Sequence, residues 1–141
     1  MITNERQYKI TKAQAEKFAN ALETVRKQAR GQPELHPLLV QAREDAIVSQ
    51  LADLHAQLAE YEALKTATPP LAELQSVAGL PKALIKARIS QGLSQKDLAD
   101  RMSLKEQQIQ RYEATEYASA SLARIREVVA ALGITDSASR R

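Results

Sequence analysis

The chain has 141 residues and a formal net charge of +3, with no cysteine, no tryptophan and few glycines or prolines. This composition excludes disulfides and thiolate metal sites and leaves too few β-branched and aromatic residues to build a sheet. No apolar run is long enough for a signal peptide or a membrane span, so a helical, cytoplasmic protein of one or two domains is expected.

The first helical pattern starts at Ile10-Thr11, where Thr11 and Gln14 have capping-box spacing ahead of Phe18, Leu22, Val25 and Ala29. Gly31 is read as its C-terminal cap, with Pro33 preventing continuation. Pro37 suits the first turn of a second, longer helix running to about Lys65. Together the two predict a long helical hairpin. Within the second helix Ile47, Leu51, Leu54, Leu58 and Tyr61 are spaced four, three, four and three, a heptad seam that needs a partner. Two readings stay open: the seam packs on the first helix and on its copy in a homodimer, or part of it receives another protein.

Thr66-Ala67-Thr68-Pro69-Pro70 ends the long helix, because a residue before proline is driven out of the helical region. Leu71 to Val77 is read as one or two helical turns, and Gly79-Leu80-Pro81 starts the next module. The predicted division is a hairpin over 1–65, a linker over 66–80, a helical domain over 81–134 and a flexible tail over 135–141 that includes Arg140 and Arg141. Residues 1–68 hold nine Lys and Arg against nine Asp and Glu, and residues 69–141 hold eleven against eight. The whole positive excess therefore lies in the second half.

Residues 94–112, SQKDLADRMSLKEQQIQRY, set two short helical patterns around a tight turn. Ser94 is placed to cap the first, with Asp97 as its capping-box partner and Leu98, Ala99 and Met102 as its apolar stripe. Ser103-Leu104 breaks the stripe. In the second pattern Ile109 and Tyr112 point inward, while Lys105, Glu106, Gln107, Gln108, Gln110 and Arg111 stay polar. Small Ala99 lets two steeply crossing helices approach after so short a turn. Ser121 then caps a last helix whose Leu122, Ile125, Val128, Val129 and Leu132 are expected in the core.

From about Leu80 to Ile134 the chain resembles the Cro/CI-like, or XRE, family of helix-turn-helix regulators. The resemblance is carried by Arg88, the Gly92-Leu93-Ser94-Gln95 run, Leu98-Ala99, Leu104, Ile109, Glu113, Leu122, Ile125 and Leu132-Gly133. It implies an all-α protein in which the hairpin precedes a lambda-repressor-like five-helix domain that binds double-stranded DNA. Carried onto this sequence, it implies base contacts from Glu106, Gln107 and Arg111, with Gln110 at the edge. The chemistry fits: Gln suits adenine, Arg suits guanine and Glu accepts from a cytosine amine. The bland alternative for this face is a solvated helix surface. Gln95 falls where the family clamps a phosphate, and Arg88 and Glu113 where related domains hold a structural ion pair. The mild basicity implies weak, salt-sensitive non-specific binding, so affinity must come from a dimer or from good base contacts.

The sequence departs from the family at Ser103, where a turn glycine is usual, and at Lys105, where a Ser or Thr cap is common. A cation there opposes the helix dipole, yet it serves if a phosphate lies beside it. The loop ATEYASAS lacks basic residues, which leaves Thr115, Tyr117, Ser119 and Ser121 to meet the DNA backbone. His36 and His55 have no partners at ligand spacing, and no phosphate-cradling Gly loop is present, so no enzyme, metal or cofactor is expected.

The layout also resembles HigA-type antitoxins, through Ile2, Asn4, Glu5, Tyr8 and His36-Pro37-Leu38-Leu39. That resemblance implies a second role, neutralising a small toxin through the amino-terminal helices while repressing its own operon. The leading expectation is a repressor that binds a palindromic operator as a homodimer.

Overall fold

The computed structural model describes residues 1–68 and 70–134, and among them seven helices and no strand. Pro69 of the expected linker and the tail expected over 135–141 lie outside the described residues. The chain divides into two compact units, Met1–Glu62 and Ala63–Arg141.

The first unit holds α1 (Glu5–Gly31) and all but the last turn of α2 (Pro37–Thr66). The start of α1 lies two turns upstream of Thr11. Asn4 is its cap, its side chain accepting from the Gln7 N–H at 2.8 Å, while the Gln7 side-chain oxygen accepts from the Thr3 N–H at 2.8 Å. With the first turn satisfied there, Thr11 is an interior helical residue and is buried. Gly31 also differs from the reading: it stays helical, and the cap is Gln32, followed by Pro33. Before Pro37, the Nδ1 atom of His36 accepts from the Leu38 N–H at 3.2 Å and so caps α2.

The two helices run antiparallel. Tyr8 near the start of α1 packs on Tyr61 near the end of α2, ring centroids 5.3 Å apart. The Tyr61 hydroxyl donates to Glu5 at 3.2 Å, and the Tyr8 hydroxyl donates to Glu62. That bond to a carboxylate raises the Tyr8 hydroxyl above its ordinary pKa. Toward the connecting turn, Arg26 lies 3.8 Å from Glu44. Ile2, Thr11, Ala15, Leu58 and Tyr61 are buried, whereas Ile47, Leu51 and Leu54 are only half-buried.

In the second unit, α3 (Leu71–Leu74) is a single turn, followed by α4 (Leu80–Ser90), α5 (Gln95–Arg101), α6 (Glu106–Ala114) and α7 (Leu122–Ala131). Four of these helices lie within 80–134, and the fifth, α3, lies in the stretch read as linker. Glu73 ties α3 to α4 through the Lys86 ammonium at 3.0 Å. Ala83, Leu84, Ile85, Leu98, Ala99, Ile109, Val128 and Leu132 are buried from all four longer helices. Each fully buried Leu, Ile or Val contributes about 1.5–3 kcal/mol. Ser121 caps α7, its hydroxyl accepting from the Arg124 N–H at 3.1 Å. Leu122 does not join the core: it is 72% exposed in the first turn of α7. The far end of α7 receives two cross-element bonds, from Gln91 to the Leu132 carbonyl at 2.7 Å and from Arg101 to the Ala131 carbonyl at 3.0 Å. A guanidinium there also suits the negative end of the helix dipole.

Candidate nucleic-acid interface

The interface is built from α5, a four-residue turn and α6. The Ser94 hydroxyl accepts from the Asp97 N–H at 3.0 Å, and Asp97 accepts from the Ser94 N–H at 2.9 Å. Those bonds, the backbone one foremost, hold the Asp97 carboxyl below the usual carboxylate range. At the other end of α5 the Leu104 N–H reaches the Ala99 carbonyl at 2.9 Å and the Ser103 N–H reaches that of Asp100 at 3.3 Å, a Schellman ending. Such an ending needs a left-handed residue just past the cap, and Ser103 takes it with φ of 55°. The same hydrogen-bond pair ends α4, α6 and α7, with Gly92, Glu116 and Gly133 in the left-handed position. Glycine fills that position after α4 and α7. The two strained substitutes, Ser103 and Glu116, lie on either side of α6, beyond its caps Lys105 and Thr115.

Lys105 precedes α6 and supplies no side-chain cap, because an ammonium has no acceptor. Gln108 supplies half of one, its side-chain oxygen accepting from the Lys105 N–H at 3.2 Å. Behind α6, Arg88 clamps Glu113 with two bonds, Nε to Oε1 at 2.6 Å and Nη2 to Oε2 at 3.0 Å. Their side chains are 2% and 1% exposed. The Arg88 Nη1 donates to the Leu93 carbonyl at 2.7 Å, and the Gln95 amide donates to Glu113 Oε2 at 2.7 Å. Three helices, α4, α5 and α6, thus meet at one carboxylate. Tyr117, buried and left-handed at φ of 59°, stacks on Tyr112 with ring centroids 6.1 Å apart. Burial, with Glu113 nearby, pushes the Tyr117 hydroxyl well above its ordinary pKa.

The outward face of α6 carries Glu106, Gln107, Gln110 and Arg111, all exposed. Gln107 and Arg111 are one turn apart, and Gln110 donates to Glu106 at 3.4 Å. Of the cations in 80–134, Lys82, Lys86, Arg88, Lys96 and Arg124 face carboxylates and Arg101 is bound to a carbonyl. Lys105, Arg111 and Arg126 engage no partner among the described residues. Two of these three belong to α6 or its cap.

Among the residues offered to phosphates, Lys105, Gln95, Thr115 and Ser119 are not placed alike. Lys105 is exposed and free. The side chain of Gln95 is turned inward and is 4% exposed, which makes it a support for Glu113 and removes it as a surface contact. The single hydroxyl proton of Thr115 is directed at the carbonyls of Arg111 and Tyr112, at 3.2 and 3.3 Å, leaving none for an anion. Ser119 is exposed, and its one proton, held only by a long 3.5 Å contact to the Thr115 hydroxyl, can turn toward an anion. Tyr117, offered by sequence to the DNA backbone, is a core residue. Arg126 escaped the sequence reading, since only the tertiary pairing of the other cations singles it out.

Residues 84–137 match the family model described as helix-turn-helix. The match supports the Cro/CI-type helix-turn-helix family for this part of the chain. No curated protein and no solved structure matches the chain. The helix-turn-helix domain is a module for binding double-stranded DNA in transcription regulation, with α5 and α6 as its two motif helices. Among the described residues no group of three His, Cys, Asp or Glu is placed to hold a metal ion, and no helix is long and apolar enough to cross a membrane.

Proposed function

We propose that this protein is a repressor that reads a palindromic operator as a dimer, with α6 entering the major groove. One observation carries the reading: the free cations Lys105 and Arg111 bracket an exposed Gln and Glu surface, while most other cations of the domain are occupied. In this reading Gln107 and Arg111 make the two-pronged contacts to adenine and guanine, and Glu106 with Gln110 offers acceptors to base amines. Lys105 and Ser119 hold phosphates, and Gln95 acts from behind by orienting Glu113.

Selection of binding sites from random DNA tests this directly. The wild-type chain should return a motif with two-fold symmetry, and Arg111→Ala or Gln107→Ala should each relax one position per half-site by about 1–3 kcal/mol. An unaltered motif in both variants would remove α6 as the reader.

A second reading keeps the DNA-binding role and adds neutralisation of a small toxin through the amino-terminal hairpin, as in an antitoxin. It is favoured by the half-buried seam of that hairpin. Co-expression with the product of a neighbouring reading frame tests it, and the absence of a stable complex rejects it.

A further inference from the structure

From residue 16 to residue 57 the amino-terminal hairpin contains no buried residue, although both helices carry apolar side chains at helical spacing throughout. Phe18, Leu22 and Val25 on α1 and Ile47, Leu51 and Leu54 on α2 are all half-buried. Two helices enclose side chains only along the line between them, so a seam of this kind is completed when further helices are laid over it. Only the open end of the hairpin, around Thr11, Ala15, Leu58 and Tyr61, is sealed by the chain itself.

The charges say what fits over the rest. Helix α1 carries seven Lys and Arg against three Glu, and α2 carries two against five Asp and Glu. Lys9, Lys12 and Lys17 on α1 are exposed and engage no partner among the described residues, as are Asp53 and Glu60 on α2. The Tyr8–Tyr61 contact places both groups in the same half of the hairpin.

We propose that the open seam is covered by the hairpin of a second copy of this chain, each α1 lying on the partner's α2 and both hairpins pointing the same way. Placing α1 on α1 would set like charges together. Pointing the hairpins oppositely would bring the free lysines to Arg43, to a Glu44 already beside Arg26 and to an Asp45 already bonded by the Gln41 amide. In the chosen arrangement every helix has antiparallel neighbours, as in an up-and-down four-helix bundle. Both chains then leave the bundle at the same end, each leading into its own DNA-binding segment. The proposal rests on the dimeric reading above and gives the dimer its surface.

The test uses the full chain without DNA. Light scattering should report twice the 15.6 kDa chain mass, and high salt should weaken the dimer severalfold. Carbodiimide coupling of a mixture of light and heavy isotope chains should give mixed-mass links joining Lys9, Lys12 or Lys17 to Asp53 or Glu60. Leu51→Glu with Leu54→Glu should abolish the dimer. A monomer at every accessible concentration, a dimer linked only between α1 helices or only within 80–134, or a monomer that takes up a different small protein would each overturn it. A dimer with these links that selects no DNA motif would instead sink the operator reading and leave this surface standing.

Discussion

The side-chain nitrogen of Gln95 lies 2.7 Å from Oε2 of Glu113, joining the first residue of α5 to the last turn of α6 through a carboxylate that Arg88 also holds. The crossing of the two motif helices is therefore set from inside, by a buried network with no unsatisfied side-chain polar atom among the described residues.

Removing Arg88 leaves that carboxylate buried with a single amide for company. Arg88→Ala is expected to lower stability by about 3–5 kcal/mol, the range for breaking a buried ion pair from one side. Urea unfolding of the full chain measures it, and an unchanged midpoint would contradict the network's role. Glu113→Gln, which removes the charge but keeps most hydrogen-bonding capacity, should cost less.

Ser103 and Glu116, the left-handed residues that close α5 and α6, make an opposite prediction. Placing Gly at Ser103 or Glu116 relieves a left-handed conformation worth about 1–2 kcal/mol. Part of that gain, about 0.4–1 kcal/mol, is returned because glycine loosens the unfolded chain. Each substitution should therefore stabilise by roughly 0.5–1 kcal/mol. The exposed Lys82–Glu116 pair, 3.9 Å apart, changes this little. Thermal melts of the two variants provide the check, and destabilisation in both would refute it.

Lys105 should show effects of opposite sign on folding and on DNA binding. Lys105→Ser supplies the missing cap and removes a cation from the positive end of α6, a gain of about 1 kcal/mol in stability. On the function proposed above, the same change also removes a phosphate contact, which should weaken binding to all sequences alike and lower the salt slope by about 1. Titrations at several ionic strengths, read beside melting data, separate the two effects; a loss of preference at one base would instead place Lys105 among the readers.

Tyr117 gives the domain an alkaline limit. Its hydroxyl loses its proton at higher pH in the folded chain than in the unfolded one, because burial disfavours the phenolate. The folded state thus binds the proton more tightly. The associated stability is complete below the ordinary tyrosine value near 10 and declines as pH rises above it. Tyr117→Phe should flatten this decline while leaving stability at neutral pH close to wild type, as denaturation curves across alkaline pH will report.

Local chemistry was legible from the chain wherever neighbours in sequence are neighbours in space. The Ser94–Asp97 capping box, the Ser121 cap and Pro37 at the head of α2 each involve residues within a turn of one another, so spacing alone reveals them. Where two local solutions competed, spacing chose badly. Thr11 and Gln14 have cap spacing, but Asn4 and Gln7 satisfy the first turn earlier, and a helix once begun propagates through Thr11.

The domain's helical order and the exposed polar face of α6 were open to inspection in 141 letters, because 3.6-residue periodicity and turn chemistry are written locally. Which polar residues remain available was decided by the tertiary fold. Burial turned Gln95 and Tyr117 from surface contacts into internal supports, and pairing occupied most cations of 80–134 while leaving Lys105, Arg111 and Arg126 without a partner among the described residues. Such outcomes depend on distances between helices far apart in the chain, where the charge of a side chain says nothing of whether a partner already holds it.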